Sequence, residues 1–366
     1  MKYDIYGEAC KKPELLLDFY QESKVPIIGY SCSYIPEELI IAVGAQPYRI
    51  PDLEAERSSL TPNFVCPFAA SVLSNMLRLE RYFSAFVLAH TCDPMWRMYD
   101  ILKKKISKPV FLLRVPHNTD NPLSLQFFEK ELIRLKEFLE ESLGMKMQND
   151  SLKKAIKVCN RNRKLMKDLY LSNLNENYSI DSANRFKLVL SGFWLPREKY
   201  SAIIENACAK FRKKRNIQNK VKLHLSGTAL YHTDLMERIR ELGGIVVSDD
   251  LCTGSRYFWD NVEEDGDPIS AIAYRYLRRT PCPSHAPLEK RLEFIKFMIS
   301  KFKAQGVLII TGRFCDPLLY DSVHIREMLT RTGVPSAVVD YENLEQELPR
   351  IQTRIETFIE MLGCGG

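Results

Sequence analysis

The chain has 366 residues and a mass of 42.4 kDa, a size that favours two or three compact domains over a single core. Hydrophobic residues make up 45% of the chain and charged residues 27%, which excludes a disordered, fibrous or collagen-like protein. The 52 basic and 46 acidic residues give a net charge of +6, an excess too mild to favour a nucleic-acid partner.

The amino-terminal part of the sequence alternates between strand and helix signals. Short apolar segments at 25–30, 46–50, 86–89 and 109–115 predict four strands. Pro36, followed by two glutamates, is typical of a helix start, because proline and acidic residues suit the first helical turn. This alternation predicts βαβ units and a mainly parallel sheet.

Residues 122–215 have a different pattern. Amphipathic stretches such as 123–143 and 152–171 predict long helices, and strand signals are few. We therefore expect a helical region that connects two α/β halves. It ends in the basic segment 212–215, which is more typical of a solvated helix end than of a phosphate site.

The α/β pattern resumes in the last third of the chain. Apolar segments at 221–225, 245–248, 307–310 and 335–339 predict strands, and helix signals separate them. The carboxyl-terminal part of the chain therefore also predicts a parallel sheet covered by helices.

Two short segments resemble each other across the halves. HTCDP at 90–94 and RFCDP at 313–317 each follow an apolar strand and begin a helix. We expect an α/β fold with two doubly wound, Rossmann- or flavodoxin-like parallel-sheet domains, residues 1–121 and 216–366, connected by the helical region 122–215. Such domains bind ligands outside the carboxyl ends of their strands, so we expect the site in the cleft between them.

The ten cysteines are the most informative part of the composition. The first 25 residues hold no long apolar segment and no apolar run reaches 18 residues. We therefore expect a cytoplasmic protein with no secretory signal and no membrane as a partner. In a reducing compartment, cysteine is a small buried apolar residue, a catalytic thiol or a metal ligand rather than a disulfide partner.

Six cysteines follow predicted strands or precede proline, in loops where a side chain can face a cleft. They are Cys32, Cys66, Cys92, Cys252, Cys282 and Cys315. The remaining four lie near the termini or inside helical patterns, and we interpret them as structural or incidental: Cys10, Cys159, Cys208 and Cys364.

The spacing of the six loop cysteines limits what they can bind. Successive members are 34, 26, 160, 30 and 33 residues apart, with no C-x-x-C pair, which disfavours a zinc ribbon. An iron–sulfur cluster tolerates such spacing, because each iron needs one thiolate and the fold supplies the positions. On spacing alone, buried structural cysteines stay an open alternative.

Several segments together resemble the 2-hydroxyacyl-CoA dehydratase and benzoyl-CoA reductase superfamily. The resemblance covers most of the chain, from about residue 25 to residue 362. The segments are GYSCSYIPEELIIAVG at 29–44, CP at 66–67, TCD at 91–93, DDLCTGSRYF at 249–258, FCDP at 314–317 and TRIETFIEML at 353–362.

The extra cysteines indicate a branch of that superfamily. By the resemblance, dehydratase subunits hold one 4Fe–4S cluster through positions that match Cys66, Cys92 and Cys315. The other three positions, commonly not cysteine in those subunits, are Cys32, Cys252 and Cys282 here. The full set is similar to double-cubane cluster proteins, in which two 4Fe–4S units share a sulfide as an 8Fe–9S centre. The resemblance implies a homodimeric anaerobic reductase of small molecules.

The resemblance also implies an electron donor, an ATP-hydrolysing activator with its own 4Fe–4S cluster. This chain has no Walker loop and no G-x-G-x-x-G segment, so we expect ATP to be hydrolysed on that partner. Substrate protons need donors near the cluster. Our candidates are Tyr34, Glu37, His90, Arg256 and His285. For Glu37 and His90 the alternatives are stabilisation of a helix start and orientation of a loop.

Three functions stay open from the sequence. The first is a double-cubane reductase component. The second is the 4Fe–4S subunit of a 2-hydroxyacyl-CoA dehydratase, which predicts a different partner subunit, about half the iron and CoA binding. The third is a non-catalytic electron carrier with the same fold.

Overall fold

The computed structural model describes residues 12–52, 58–174, 180–210 and 220–363. Cys10, Cys364 and the basic segment 212–215 lie outside these residues, so their predicted roles stay predictions. Within the described ranges, no helix combines the length and the apolar character that crossing a bilayer requires.

The first sheet has four parallel strands in the order β2-β1-β3-β4. Its strands are β1 (Ile27–Tyr30), β2 (Gln46–Arg49), β3 (Ala85–His90) and β4 (Val110–Arg114). Chain order reverses between β1 and β3, so the sheet is doubly wound with its switch point between these two strands.

The second sheet repeats this topology. Its four parallel strands lie in the order β6-β5-β7-β8, with the switch point between β5 and β7. Its strands are β5 (Val221–Gly227), β6 (Gly244–Asp249), β7 (Gly306–Gly312) and β8 (Ser336–Tyr341). The predicted fold class, two doubly wound parallel-sheet domains, is confirmed.

Helices connect the strands and fill the middle of the chain. Those of the amino-terminal part are Pro13–Glu22, Glu37–Ala42, Pro67–Arg78 and Asp93–Lys105. The described residues from 122 to 210 contain helices and no strand, as predicted: Pro122–Leu143, Asn149–Leu171, Ser182–Ser191 and Arg197–Lys210. The carboxyl-terminal helices are Asp234–Glu241, Ser255–Phe258, Pro268–Arg278, Leu288–Phe302, Asp316–Arg331 and Leu344–Gly363.

Both sheets and the helical middle share one apolar core. Leu88 of β3, Leu308 of β7 and Trp194 of the middle region belong to the same cluster of buried side chains. The Trp194 indole N–H also donates to the backbone oxygen of Arg49 over 2.8 Å. This packing holds the carboxyl ends of the two sheets close together, while the domain boundaries at 121 and 215 stay predictions.

Candidate metal centre

One cavity lies at the carboxyl ends of both sheets. All six loop cysteines line it, and we call it the cysteine cavity: Cys32, Cys66, Cys92, Cys252, Cys282 and Cys315. Its volume is about 100 Å³, and it is partly open to solvent.

The strand order explains why cysteines distant in sequence meet here. Cys32 and Cys92 follow β1 and β3, the two central strands of the first sheet. Cys252 and Cys315 follow β6 and β7 of the second sheet. Parallel strands end at the same edge of a sheet, so the loops after them deliver their thiols to one cleft.

Three of the cysteines stand directly before a helix. These are Cys66, Cys92 and Cys315, before the helices Pro67–Arg78, Asp93–Lys105 and Asp316–Arg331. Backbone N–H groups of the first turn bond two of these thiols, from Met95 to Cys92 and from Leu318 to Cys315. Amides at a helix amino terminus stabilise negative charge, which suits a thiolate that binds a metal.

The loop before Cys315 is held in an unusual backbone conformation. Phe314 has a φ of 65°, in the left-handed region that non-glycine residues rarely adopt. Such strain persists only where the surrounding structure enforces it, and it is common at binding sites. Here it directs the Cys315 thiol into the cysteine cavity.

The thiols of the cavity are close enough to influence one another. Burial raises the pKa of Cys32 to about 11, and the neighbouring thiols of Cys252 and Cys282 add to the increase. Burial likewise raises the pKa of Cys315 to about 12, with a further contribution from Cys66. The thiols of Cys32 and Cys315 therefore stay protonated near neutral pH unless a positive charge enters beside them.

Cys92 is the cavity thiol that is influenced both by Cys32 and Cys282 and by Cys315. Burial raises its pKa to about 12, and thiols on both sides, those of Cys282, Cys315 and Cys32, raise it further. These influences link all the cavity thiols rather than separating them. We group the cysteines into two trios by the superfamily resemblance: the first trio is Cys32, Cys252 and Cys282, and the second is Cys66, Cys92 and Cys315.

The donor arrangement fits an iron–sulfur cluster better than a single ion. No group of three or more His, Cys, Asp or Glu in the described ranges is arranged to hold one metal ion. Thiolates on one zinc ion must all lie about 2.3 Å from it, whereas a cluster takes one thiolate on each of several irons. Six thiols that line one mainly apolar cavity are donors of the kind that an iron–sulfur cluster uses.

Arg49, at the end of β2, places a guanidinium beside Cys252. Its Nη2 donates to the Cys252 Sγ over 3.3 Å and its Nη1 to the Cys252 backbone oxygen over 2.9 Å. Arg49 is fully buried, and its guanidinium lies 4.6 Å from the ring centroid of Phe193. The sequence analysis missed this residue, although an arginine at the carboxyl end of a predicted strand is a usable signal.

Tyr34 and His285, two of the predicted proton donors, lie together beside the Cys282 loop. The Tyr34 hydroxyl accepts the Cys282 backbone N–H over 3.3 Å, and the two rings are 4.7 Å apart between centroids. Both side chains are buried. Burial lowers the pKa of His285 to about 3, so its imidazole is neutral near pH 7.

Glu37 lies elsewhere, in a buried ion pair. One carboxylate oxygen is 2.6 Å from the Arg197 Nη2, and the other accepts the Tyr257 hydroxyl over 2.6 Å. Tyr30 donates to the same carboxylate. These partners indicate a structural role for Glu37, although its predicted role in proton transfer has not been tested.

None of the five predicted proton donors lines the cysteine cavity itself, and His90 and Arg256 lie apart from the Tyr34–His285 pair. The His90 ring packs edge-on against Trp96, with 4.6 Å between centroids. Arg256 donates to the backbone oxygens of Gly227 and Pro281 over 2.9 and 3.0 Å. Arg256 therefore ties the end of β5 to the loop of Cys282, which is a positioning contact.

A second, more open groove adjoins the cysteine cavity. It has a volume of about 460 Å³ and shares Thr91, Cys92 and Ser284 with the cavity lining. His117, which the sequence analysis gave no role, lines it together with Tyr320. The groove offers a route by which a small molecule can reach the thiols from solvent.

Comparisons with known proteins identify a family. The sequence model of the 2-hydroxyglutaryl-CoA dehydratase D-component family matches residues 32–362, which include all six loop cysteines and every strand except β1. This match confirms the superfamily resemblance inferred from the sequence segments.

Three relatives illustrate the similarity. The chain is 25% identical over 380 residues to the putative dehydratase subunit YjiM of Escherichia coli, covering 98% of this chain and 97% of the relative. It is 24% identical over 342 residues to the (R)-phenyllactyl-CoA dehydratase beta subunit of Clostridium sporogenes, covering 92% and 91%. It is also 24% identical over 349 residues to a subunit of the benzoyl-CoA reductase of Thauera aromatica, covering 92% and 90%.

Proposed function

Because the chain belongs to the 2-hydroxyglutaryl-CoA dehydratase D-component family, we propose that it is an iron–sulfur reductase component of double-cubane type. The observation that supports this proposal is the convergence of six cysteines on one cavity. A single 4Fe–4S cluster would leave three partly buried thiols without a function in the same cavity.

Each trio would hold one cubane through three thiolates. Cys32, Cys252 and Cys282 would bind one, and Cys66, Cys92 and Cys315 the other. The fourth iron of each cubane would then be free for a shared sulfide, giving an 8Fe–9S centre. When bound, this centre would supply low-potential electrons to a substrate.

Protons would come from the protein side of the cavity. Tyr34 and His285 are the predicted donors placed next to a cysteine loop, through the contact of the Tyr34 hydroxyl with the Cys282 amide. A tyrosine hydroxyl can pass its proton to a reduced substrate and regain one through neighbouring groups. We propose the pair as the proton source and assign Arg256 to positioning the Cys282 loop.

The electrons need an external source, which we propose to be an ATP-hydrolysing activator with its own 4Fe–4S cluster. The sequence has no phosphate-binding loop that could serve ATP on this chain. The substrate would be a small molecule that enters through the open groove, and the working unit would be a cytoplasmic homodimer.

The relatives favour one alternative function. Two of those described above are named as dehydratase subunits, so this chain would be the 4Fe–4S subunit of a 2-hydroxyacyl-CoA dehydratase. In that case Cys66, Cys92 and Cys315 would hold the cluster, and a second subunit would complete the enzyme.

Iron and acid-labile sulfide per chain, measured on protein purified without oxygen, distinguish the two functions. We expect about eight irons with slightly more sulfide than iron, because two cubanes share an additional sulfide. About four irons with equal sulfide would contradict the double-cubane proposal and favour the dehydratase subunit.

A further inference from the structure

Arg49 is a buried cation without a salt-bridge partner among the described residues. It is the one basic side chain among the described residues lining the cysteine cavity, and its exposed fraction is 0%. No carboxylate of the described residues forms an ion pair with it, and its Nε lacks a hydrogen-bond acceptor there. The pKa of Asp52 is raised to about 7, because burial raises it more than Arg49 lowers it. The Asp52 carboxyl is therefore partly protonated near neutral pH. A buried charge is costly unless an opposite charge compensates it.

The surroundings of Arg49 fix its guanidinium toward Cys252. The rings of Phe193 and Tyr231 lie 4.6 and 5.8 Å from the guanidinium carbon. One donor group is held by the Cys252 backbone oxygen, which leaves the other directed at the Cys252 Sγ. The anion that this arrangement suits is the thiolate of Cys252, which forms when the sulfur binds a metal.

The two trios therefore have different electrostatic surroundings. The trio of Cys32, Cys252 and Cys282 has a cation hydrogen-bonded to one of its sulfurs. In the other trio, two sulfurs accept hydrogen bonds from neutral amides, those of Met95 and Leu318. A charged donor stabilises added negative charge more than a neutral one does.

We propose that Arg49 is a positioning residue that raises the reduction potential of the cluster half held by Cys32, Cys252 and Cys282 above that of the other half. This inference rests on the proposed double-cubane function. One electron from an iron–sulfur donor makes that half more negative by one charge, and the donor is oxidised by one electron. Arg49 stays protonated throughout, and no bond to it forms or breaks. Electrons would thus enter the half nearer to Arg49 first.

The test compares R49Q and R49K with R185Q in anaerobically purified protein. Arg185 is a matched control: it is buried, lies 4.5 Å from the Tyr170 ring and donates to the Val246 backbone oxygen, but does not line the cavity. Iron per chain and a redox titration followed by electron paramagnetic resonance are measured for each variant.

We expect two reduction steps in the unaltered protein. In R49Q the reduction potential of the first step should be lower by at least about 59 mV, which for one electron is a tenfold decrease in the equilibrium constant of that step. In R49K the fall should be smaller because the charge is kept. The equilibrium constant of the second step in R49Q and R49K should change by less than threefold. The same limit holds for both steps in R185Q.

Each alternative outcome has a definite meaning. About four irons in the unaltered protein would overturn the two-cluster function, and the Arg49 assignment with it. About eight irons with an unmoved first step in R49Q would overturn the Arg49 assignment alone. If R49Q does not fold, R49K decides: a fall in its first reduction step larger than any change in R185Q supports the assignment, and an unmoved first step overturns it. Loss of iron from folded R49Q and R49K would assign Arg49 to assembly of the site and overturn its role in the potential.

Discussion

Glu38 and Arg163 form a fully buried ion pair that joins the first sheet to the helical middle. The Arg163 Nη2 lies 2.5 Å from one Glu38 carboxylate oxygen, and the Tyr276 hydroxyl donates to the other over 2.8 Å. Neither side chain is more than 1% exposed. Three segments of the chain thus meet at one carboxylate. Glu38 itself belongs to the helix Glu37–Ala42, which follows the Cys32 loop.

Replacing Glu38 with glutamine should destabilise the protein strongly. Breaking a buried pair leaves the Arg163 charge uncompensated, and we expect a loss of about 3–5 kcal/mol. Thermal and urea unfolding measure this loss. Glu205→Gln is the matched control. Glu205 pairs at the exposed surface with Arg161, which lies in the same helix as Arg163, and little change in stability is expected. Equal effects of the two substitutions would contradict the account.

The stability contributed by Glu38 should depend on pH. Burial is the largest influence and opposes its ionisation, but Arg163, Arg275 and the hydrogen bonds to the carboxylate together outweigh burial and hold the pKa of Glu38 below its ordinary value. The contribution is therefore complete above the unfolded-state pKa of about 4.3, and it is lost as pH falls through the lower folded-state pKa. The gap in urea midpoint between metal-free unaltered protein and E38Q should shrink below about pH 4. If the difference in urea midpoint between the two proteins grows below about pH 4, the predicted pH dependence of the Glu38 contribution is contradicted.

Replacing Cys252 with serine should remove one cubane and keep the other. We expect iron to fall from about eight to about four per chain, because the trio of Cys66, Cys92 and Cys315 is intact. Cys159→Ser serves as the control, since Cys159 is buried in the helix Asn149–Leu171 and does not line the cavity. Unchanged iron in C252S would show that Cys252 is not a ligand.

Gly254 should tolerate no side chain. A Cβ at this position would come within 2.1 Å of the Asp249 Oδ1. That oxygen accepts the backbone N–H groups of Leu251 and Ser255 over 3.0 and 2.8 Å and so shapes the Cys252 loop. We expect G254A to lose iron from the first trio and to unfold at a lower temperature.

The control for this glycine is Gly363→Ala, because no atom of the described residues lies within 4 Å of a Cβ at Gly363. The iron content and the unfolding temperature of G363A should match those of the unaltered protein. If G254A behaves in the same way as G363A, the loop of Cys252 does not depend on the close approach of Asp249.

Much of the site could be predicted from the sequence because it follows from strand order. Cys92 and Cys315 follow apolar strands, and parallel strands deliver their loops to one edge. The same rule places Arg49 at that edge, but it could not pair Arg49 with Cys252, which is 203 residues away in the chain. That contact depends on how the two sheets face each other, which local pattern does not determine.

The predicted proton donors show the same limit. His90 is two residues from Cys92, yet its ring packs on Trp96, whereas His117 lines the open groove. Glu37 begins a helix as predicted, but the Arg197 that pairs with it comes from the helical middle. Proximity in sequence to a cysteine did not predict which side chains reach the cavity, because side-chain direction is set by tertiary packing.

The most direct test of the double-cubane site is a crystal structure of anaerobically purified protein with anomalous scattering data collected at the iron absorption edge. We predict about eight iron positions in the cysteine cavity, in two groups of about four, one beside each cysteine trio. A single group of about four irons beside Cys66, Cys92 and Cys315, with Cys32, Cys252 and Cys282 free, would contradict the account.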